Sequence, residues 1–197
     1  MFASTQKLPR LFLACLAVVG TLVTAPAAHA AEVTPPAVPT GLEAPEGNHA
    51  VRIAHALGTQ NYICLVAGQS WTFIGPQATL FDDEGDQSMT HFLSPNPTEA
   101  GVARATWRHS KDTSTVWGLA IASSTDPAYV TPGAIPWLLL RIVGSQDGPT
   151  DGAKISTTTF IQRVNTAGGT TPAGGCPSVG ARVFVPYETD YVFYRAQ

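Results

Sequence analysis

Arg163 is the strongest candidate for a binding residue in the sequence, because it lies on a predicted strand with a polar face that ends at a glycine turn. Along residues 160–169 the side chains alternate, so Arg163 and Asn165 share one face and Gln162 points to the other. Asp190 lies in a later predicted strand, and we expect its carboxylate to pair with the guanidinium of Arg163. Such a pair either has a purely structural role or lines a cleft that binds sugar hydroxyls or a carboxylate.

His91 and Trp107 are two further side chains with a predicted binding role. His91 could act as a general base with an acidic partner such as Asp190, or it could be a hydrogen-bonded, partly buried side chain. Trp107 stands between Arg104 and Arg108, so it is the tryptophan that we expect to be exposed, as an aromatic platform for sugars. The candidate ligand-binding residues are His91, Trp107, Gln162, Arg163, Asn165 and Asp190.

Known catalytic and metal-binding motifs are missing from the sequence. It has no H-E-x-x-H, no phosphate-binding P-loop and no G-x-S-x-G nucleophile elbow. The acidic run at residues 82–86 does not fit a calcium loop, because Gln87 takes the place of the required glycine and Leu93 that of the last ligand. We interpret it as a solvated hairpin turn around Gly85. The sequence therefore assigns no catalytic residue, no metal and no cofactor.

The first thirty residues have the pattern of a secretory signal peptide. Lys7 and Arg10 precede an uncharged apolar run at residues 11–23, and the small-x-small pattern at residues 28–30 precedes the expected cleavage after Ala30. The apolar run is too short to span a bilayer, which takes about 20 residues. Loss of the two basic residues changes the formal net charge from −3 to −5. That charge argues against nucleic acid or an anionic membrane as a partner.

The cysteines indicate one disulfide. Cys15 would leave with the signal peptide, whereas Cys64 and Cys176 would remain in an oxidising compartment. Two cysteines in a secreted chain most simply form one bridge, the alternatives being two free thiols or half of a metal site. We therefore expect a secreted protein, extracellular or periplasmic, with no stable membrane insertion.

The rest of the chain predicts an all-β fold. Residues 31–47 form a proline-rich extended lead, and residues 48–197 form a single antiparallel β-sandwich or barrel of about ten short strands. The most hydrophobic run, residues 135–143, could be a buried strand or a short helix. Turn-forming pairs are predicted to separate strands at residues 58–59, 75–76 and 186–187.

A combination of motifs spread from residue 41 to the C-terminus resembles a known family. The residues that carry the resemblance are Gln60, Tyr62, Cys64, Trp71, Pro76, Ala78, Leu80, His91, Trp107, residues 135–140, residues 161–169, Cys176 and residues 185–194. They are similar to a secreted bacterial and fungal family of unknown function, number thirty-four fifty-five in the series of such domains. The resemblance implies a secreted single domain and brings no established activity or catalytic residue. Some fungal relatives carry a malate dehydrogenase label, which this sequence does not support because it lacks G-x-G-x-x-G and βαβ alternation.

These observations favour a secreted, non-catalytic, disulfide-linked β-protein that binds a ligand, with a cell-wall or envelope glycan as the expected partner. Two alternatives remain open at this point. One is a hydrolase with an unfamiliar site built from His91 and Asp190, and the other is a structural protein of the cell surface.

Overall fold

Eight antiparallel strands form one closed barrel in the computed structural model, which describes residues 1–3 and 33–197. Each strand pairs with the next one in the chain, and the first also pairs with the last. The strands are β1 (Asn48–Ile63), β2 (Thr72–Phe81), β3 (Gln87–Asn96), β4 (Val102–His109), β5 (Thr115–Ser124), β6 (Trp137–Gln146), β7 (Phe160–Gly168) and β8 (Arg182–Ala196). A 3₁₀ turn over Pro97–Glu99 follows β3.

The all-β, antiparallel prediction is confirmed, but the strands are fewer and longer than expected. Each of the three turn-forming pairs lies inside a strand, so β1 and β8 run for 16 and 15 residues. Gly58 shows why the local turn signal fails. A Cβ built on it would lie 2.5 Å from the Cβ of Ala78, so the missing side chain lets β1 and β2 approach closely. The glycine serves strand packing and not a turn.

The hydrophobic run at residues 135–143 becomes strand β6. Leu138 and Leu140 pack against the interior of the barrel, whereas Trp137 and Leu139 pack in a second cluster on its outside. Because both faces of this strand are covered, its sequence shows a continuous apolar run in place of the usual alternation.

The proline-rich lead covers part of the outer surface. Residues 33–47 form no strand or helix, yet Leu42 is 2% exposed and packs with Val164 and Val192 in the outer cluster. Gln162 donates a hydrogen bond of 2.6 Å to the Leu42 carbonyl and accepts one of 2.6 Å from the Tyr194 hydroxyl. The lead is therefore fixed to β7 and β8 by packing and by buried hydrogen bonds.

One end of the barrel is formed by four connections, and we name this end the mouth. These are the loops at residues 64–71, 97–101, 125–136 and 169–181. The predicted disulfide between Cys64 and Cys176 is present, with the Cα atoms 5.6 Å apart, and it joins the first of these loops to the last.

The opposite end of the barrel is filled from the connection between β6 and β7. Ile155 in that connection is 2% exposed and packs in the interior cluster.

The acidic run at residues 82–86 forms the hairpin turn between β2 and β3, in which the Asp86 N–H donates to Asp82 Oδ1 at 2.8 Å.

The predicted signal peptide at residues 1–30 falls almost entirely outside the described residues. Among the residues that the structure does describe, none belongs to a helix with the length and hydropathy needed to cross a membrane.

The disulfide predicts a stability effect that should be the same for either cysteine. The bridge links residues 112 positions apart, and a closed loop of about 100 residues is worth about 4 to 5 kcal/mol at most. Cys64→Ser and Cys176→Ser should each lower the free energy of unfolding by similar amounts, up to that limit, as measured by urea denaturation.

The control is the double variant Cys64→Ser/Cys176→Ser, which should be no less stable than either single variant. Two free thiols in the mass spectrum of the oxidised native protein would contradict the bridge.

Candidate functional site

Arg163 lies on the inside of the barrel, and its predicted pairing with Asp190 is wrong. Arg163 stands opposite Tyr191 in the β7–β8 register, whereas Asp190 stands opposite Val164. Directly opposed residues point to the same face of a sheet. Tyr191 belongs to the interior cluster and Val164 to the outer one, so Arg163 and Asp190 lie on opposite faces.

Arg163 instead donates to a carbonyl at the mouth. Its Nε and Nη2 groups donate to the Pro136 oxygen at 3.1 and 2.8 Å. In the described part of the chain, no carboxylate oxygen lies within ion-pair distance of this guanidinium. Arg104 differs in this respect, because Glu99 accepts from its Nε and Nη2 at 2.8 Å each. Arg163 therefore carries a positive charge that no nearby carboxylate neutralises.

Arg163 lines a cavity of about 240 Å³ that opens at the mouth, which we name the mouth cavity. Small residues on β4 and β5 form much of its wall. They are Ala103, Ala105, Gly118 and Ala120. Ala105 stands opposite Gly118, whose absent Cβ would come within 3.0 Å of the Trp107 ring. Larger side chains at these positions would occupy the space, so the cavity follows directly from the sequence at inward positions.

Trp107 is fully buried, and the prediction that it is exposed is wrong. It is 0% exposed and stacks on His91 with ring centroids 4.3 Å apart. The flanking residues Arg104 and Arg108 gave a misleading signal. Arg108 is exposed and points outward by strand alternation, which turns Trp107 inward.

Four buried side-chain donors have no hydrogen-bond partner among the described residues, and two of them belong to residues that line this cavity. These two are the Trp107 Nε1–H group and the Gln60 side-chain amide, whose residues are 0% and 3% exposed. Both residues line the mouth cavity. Buried polar groups are nearly always satisfied, so two orphaned donors at one cavity need an explanation.

His91 is held neutral beside them. Burial, opposed by a hydrogen bond to Thr106 and assisted by the Arg163 charge, lowers the pKa of His91 to about 3. Its Nδ1 lies 2.9 Å from the Thr106 carbonyl oxygen, which can only accept, so Nδ1 carries the proton. In this tautomer Nε2 keeps a lone pair.

Tyr191 completes the polar side of the mouth cavity. Its hydroxyl lies 3.4 Å from that of Tyr187, and burial raises the pKa of both phenols. Both therefore remain uncharged, and the guanidinium of Arg163 remains the cavity's one unneutralised charge among the described residues.

Asn165 and Asp190 belong to a cluster on the outer surface. Asn165 has φ of +52° at a bulge in β7, which breaks the strand alternation, and its amide donates to Asp190 Oδ2 at 2.8 Å. His55 Nδ1 lies 2.6 Å from Asp190 Oδ1, and its Nε2 lies 3.0 Å from Asp83 Oδ1. Hydrogen bonds to Asp83 and Asp190 raise the pKa of His55. The bulge explains why Asn165 does not share a face with Arg163.

Three of the six predicted residues therefore meet at the mouth cavity, namely His91, Trp107 and Arg163. Gln162 fixes the lead, and Asn165 and Asp190 lie outside. Sequence reasoning missed Gln60 and Tyr191. One sequence signal could have indicated the cavity itself. Small residues occupy alternate positions in β4 and β5, which leaves room inside a barrel of eight strands.

A larger depression of about 500 Å³ lies on the strands β1 to β3, but it has a different character. Leu57, Asn61 and Gln77 are among its lining residues, whereas Gln60 and Trp107 are not. No group of three or more His, Cys, Asp or Glu residues in the described ranges is arranged to hold a metal ion.

Because His91 is buried and neutral, we expect the protein to lose stability on acidification at pH values above those at which carboxylates titrate. The unfolded chain takes up a proton on His91 near pH 6.5 and the folded chain only near pH 3, so stability falls as the pH is lowered between these values. Between pH 7 and pH 5 the titration of His91 should lower the free energy of unfolding by about 2 kcal/mol, as measured by urea denaturation.

His91→Asn can keep the hydrogen bond to Thr106 while removing the titrating ring, so it should lose most of this pH dependence even if its stability at pH 7 is lower. His49→Asn, at an exposed position of β1, is the control and should retain it. An unchanged pH slope in His91→Asn would contradict a neutral buried ring.

Comparison with known proteins gives one match. No curated protein and no solved structure matches the chain. The family described as protein of unknown function (DUF3455) matches residues 45–195, which include all eight strands except the last residue of β8, both cysteines of the disulfide and every residue of the mouth cavity. The chain therefore belongs to this family of unknown function, as its motifs had indicated.

Proposed function

We propose that this protein is a secreted, non-catalytic binding protein that holds a small ligand in the mouth cavity. One observation carries the proposal. Two buried donors without partners among the described residues, Trp107 Nε1–H and the Gln60 amide, belong to residues that line the same cavity as the unneutralised guanidinium of Arg163. Together they form a set of donors that an acceptor on a ligand would satisfy.

The energetics favour an occupied cavity. A buried donor without a partner costs about 1 to 3 kcal/mol. An acceptor group of a ligand would remove this cost at both donors, while the alanines and Leu138 and Leu140 would bury its apolar part. Apolar pockets with a few convergent polar groups, in the mouths of β-barrels, are typical ligand sites.

The cavity favours a small molecule over a polysaccharide. The expected glycan platform depended on an exposed Trp107, and this ring is buried. A volume of about 240 Å³ accommodates roughly eight non-hydrogen atoms, at about 30 Å³ each. The ligand we propose is therefore a small molecule or one end of a longer one.

The hydrolase alternative gains no support from the geometry. His91 bonds to the Thr106 carbonyl inside the barrel, whereas Asp190 bonds to His55 and Asn165 on its outer face. A general base and its acidic partner need to be within hydrogen-bond reach, directly or through one water. Secretion through cleavage near Ala30 is part of the proposal, and the disulfide is consistent with an oxidising compartment.

The proposal predicts a specific response in the ¹H–¹⁵N spectrum of the protein. Titration with three probes that share one ring, benzamide, benzyl alcohol and benzoate, should shift the indole N–H resonance of Trp107 for at least one probe. The Trp117 indole is an internal control, because its Nε1–H already donates to Ser94 Oγ at 2.9 Å and its resonance should stay in place.

A variant that fills the cavity should abolish this response. Ala105→Leu places a larger side chain in the cavity wall, while Ala196→Leu, at the exposed end of β8, is the matched control. If no probe shifts the Trp107 resonance, or if Ala105→Leu leaves the shift intact, the mouth cavity is not a binding site.

A further inference from the structure

We propose that the ligand is a carboxylate with a linear apolar tail, whose head binds at Arg163 and whose tail leaves the barrel across an apolar rim. This inference rests on the proposed function and specifies the ligand of the same site. It is carried by two features of the mouth that point to the two ends of such a molecule.

The first feature is the charge balance of the mouth cavity. Arg163 is half-buried and has no carboxylate partner among the described residues, while the other arginine at this cavity, Arg104, is already paired with Glu99. The nearby His91, Tyr187 and Tyr191 are all neutral. A neutral acceptor would satisfy the orphaned donors, but only an anion would also neutralise the guanidinium.

The kind of donors at this cavity suits a carboxylate in particular. A guanidinium can bind both oxygens of a carboxylate through parallel N–H groups, and such charge-assisted bonds are about twice as strong as neutral ones. Arg163 directs only part of its donors to Pro136. The Trp107 and Gln60 donors add N–H groups that can satisfy the remaining lone pairs. A buried carboxylate is stable only when it is paired and hydrogen-bonded in this way.

The second feature is a set of exposed apolar side chains near the mouth, which we name the apolar rim. Its members come from the loops at residues 64–71 and 169–181 and from the ends of β2, β3, β4 and β8 at the mouth, namely Leu65, Val66, Phe73, Ile74, Leu93, Val102, Val179 and Phe184. Phe73 and Leu93 are 47% and 37% exposed and also line the mouth cavity. The rim therefore meets the cavity at Phe73 and Leu93, and exposed apolar side chains at this place favour an apolar partner that emerges from the cavity.

The volume sets the length of chain held inside. With room for roughly eight non-hydrogen atoms, the cavity holds a carboxylate and a short stretch of chain. Further methylenes must lie against the rim, where they remain partly shielded from water. Affinity should therefore rise by up to about fourfold per methylene while the chain is inside, and more slowly beyond.

The decisive experiment compares three eight-carbon probes by isothermal titration calorimetry with the native protein. Octanoate should bind about ten- to a hundredfold more tightly than 1-octanol, because it alone pairs with the guanidinium, and octylamine should not bind. Arg163→Met should reduce the affinity for octanoate to that for 1-octanol. Arg141→Met, at an exposed position of β6, is the matched control and should change neither affinity.

The outcomes separate this inference from the proposed function. Equal affinities for octanoate and 1-octanol, with a shift of the Trp107 resonance by either, would overturn the carboxylate and leave the binding function standing. No binding of any eight-carbon or ring probe would overturn both. The comparison on the native protein remains decisive even if Arg163→Met does not fold, and Arg163→Lys, which keeps the charge, should retain a preference for octanoate.

The rim is tested separately through chain length. Phe73→Ser should weaken the binding of dodecanoate several-fold more than that of butanoate, since Phe73 borders both the cavity and the rim and only the longer chain reaches the rim. Leu57→Ser, which removes an exposed apolar side chain in the middle of β1, should affect neither acid. Equal loss for both acids in Phe73→Ser would contradict an outward path for the tail.

Discussion

The pairing of β1 with β8 runs from Asn48 opposite Ala196 to Ile63 opposite Arg182, with one register shift, and it joins the two ends of the sheet. Because the sheet is closed, every strand must send one set of alternate residues into a space of fixed width. That space is filled by large side chains such as Trp107, Tyr191 and Phe193 through most of its length. It remains partly empty at the mouth cavity, where the neighbouring strands β4 and β5 carry alanine or glycine at inward positions.

The same alternation explains why the outside of the barrel also has a core. Strands β6, β7 and β8 carry apolar residues on both faces, and the lead segment covers the outer ones through Leu42. Gln162 is buried in this outer layer and has both ends of its amide satisfied, by the Leu42 carbonyl and the Tyr194 hydroxyl. The side chain of Gln162 therefore has a structural role, because it attaches the lead to the barrel. Gln60 differs, because its amide N–H group has no partner among the described residues and is available to a ligand.

Sequence patterns were sufficient for the fold class and the disulfide, because these depend on composition and on local alternation, and three of the six residues that they singled out line the mouth cavity. They failed where a contact distant in sequence decided the outcome. Gly58 has the local signature of a turn, but its position is set by the close approach of β2. Arg163 and Asp190 are plausible partners by charge, yet the register of β7 and β8 places them on opposite faces. The bulge at Asn165 interrupts the alternation of side chains between the two faces of β7, so counting residues along the strand does not predict which face Asn165 occupies.

The bridge between Cys64 and Cys176 has a consequence for the resistance of the barrel to proteolysis. The exposed connection at residues 170–175, which is rich in glycine and threonine, is the kind of segment that proteases cut first. A cut there would leave β8 covalently attached to the loop after β1, its own pairing partner. The barrel could thus be nicked beside its opening without losing its last strand, which supplies Tyr191 to the cavity wall.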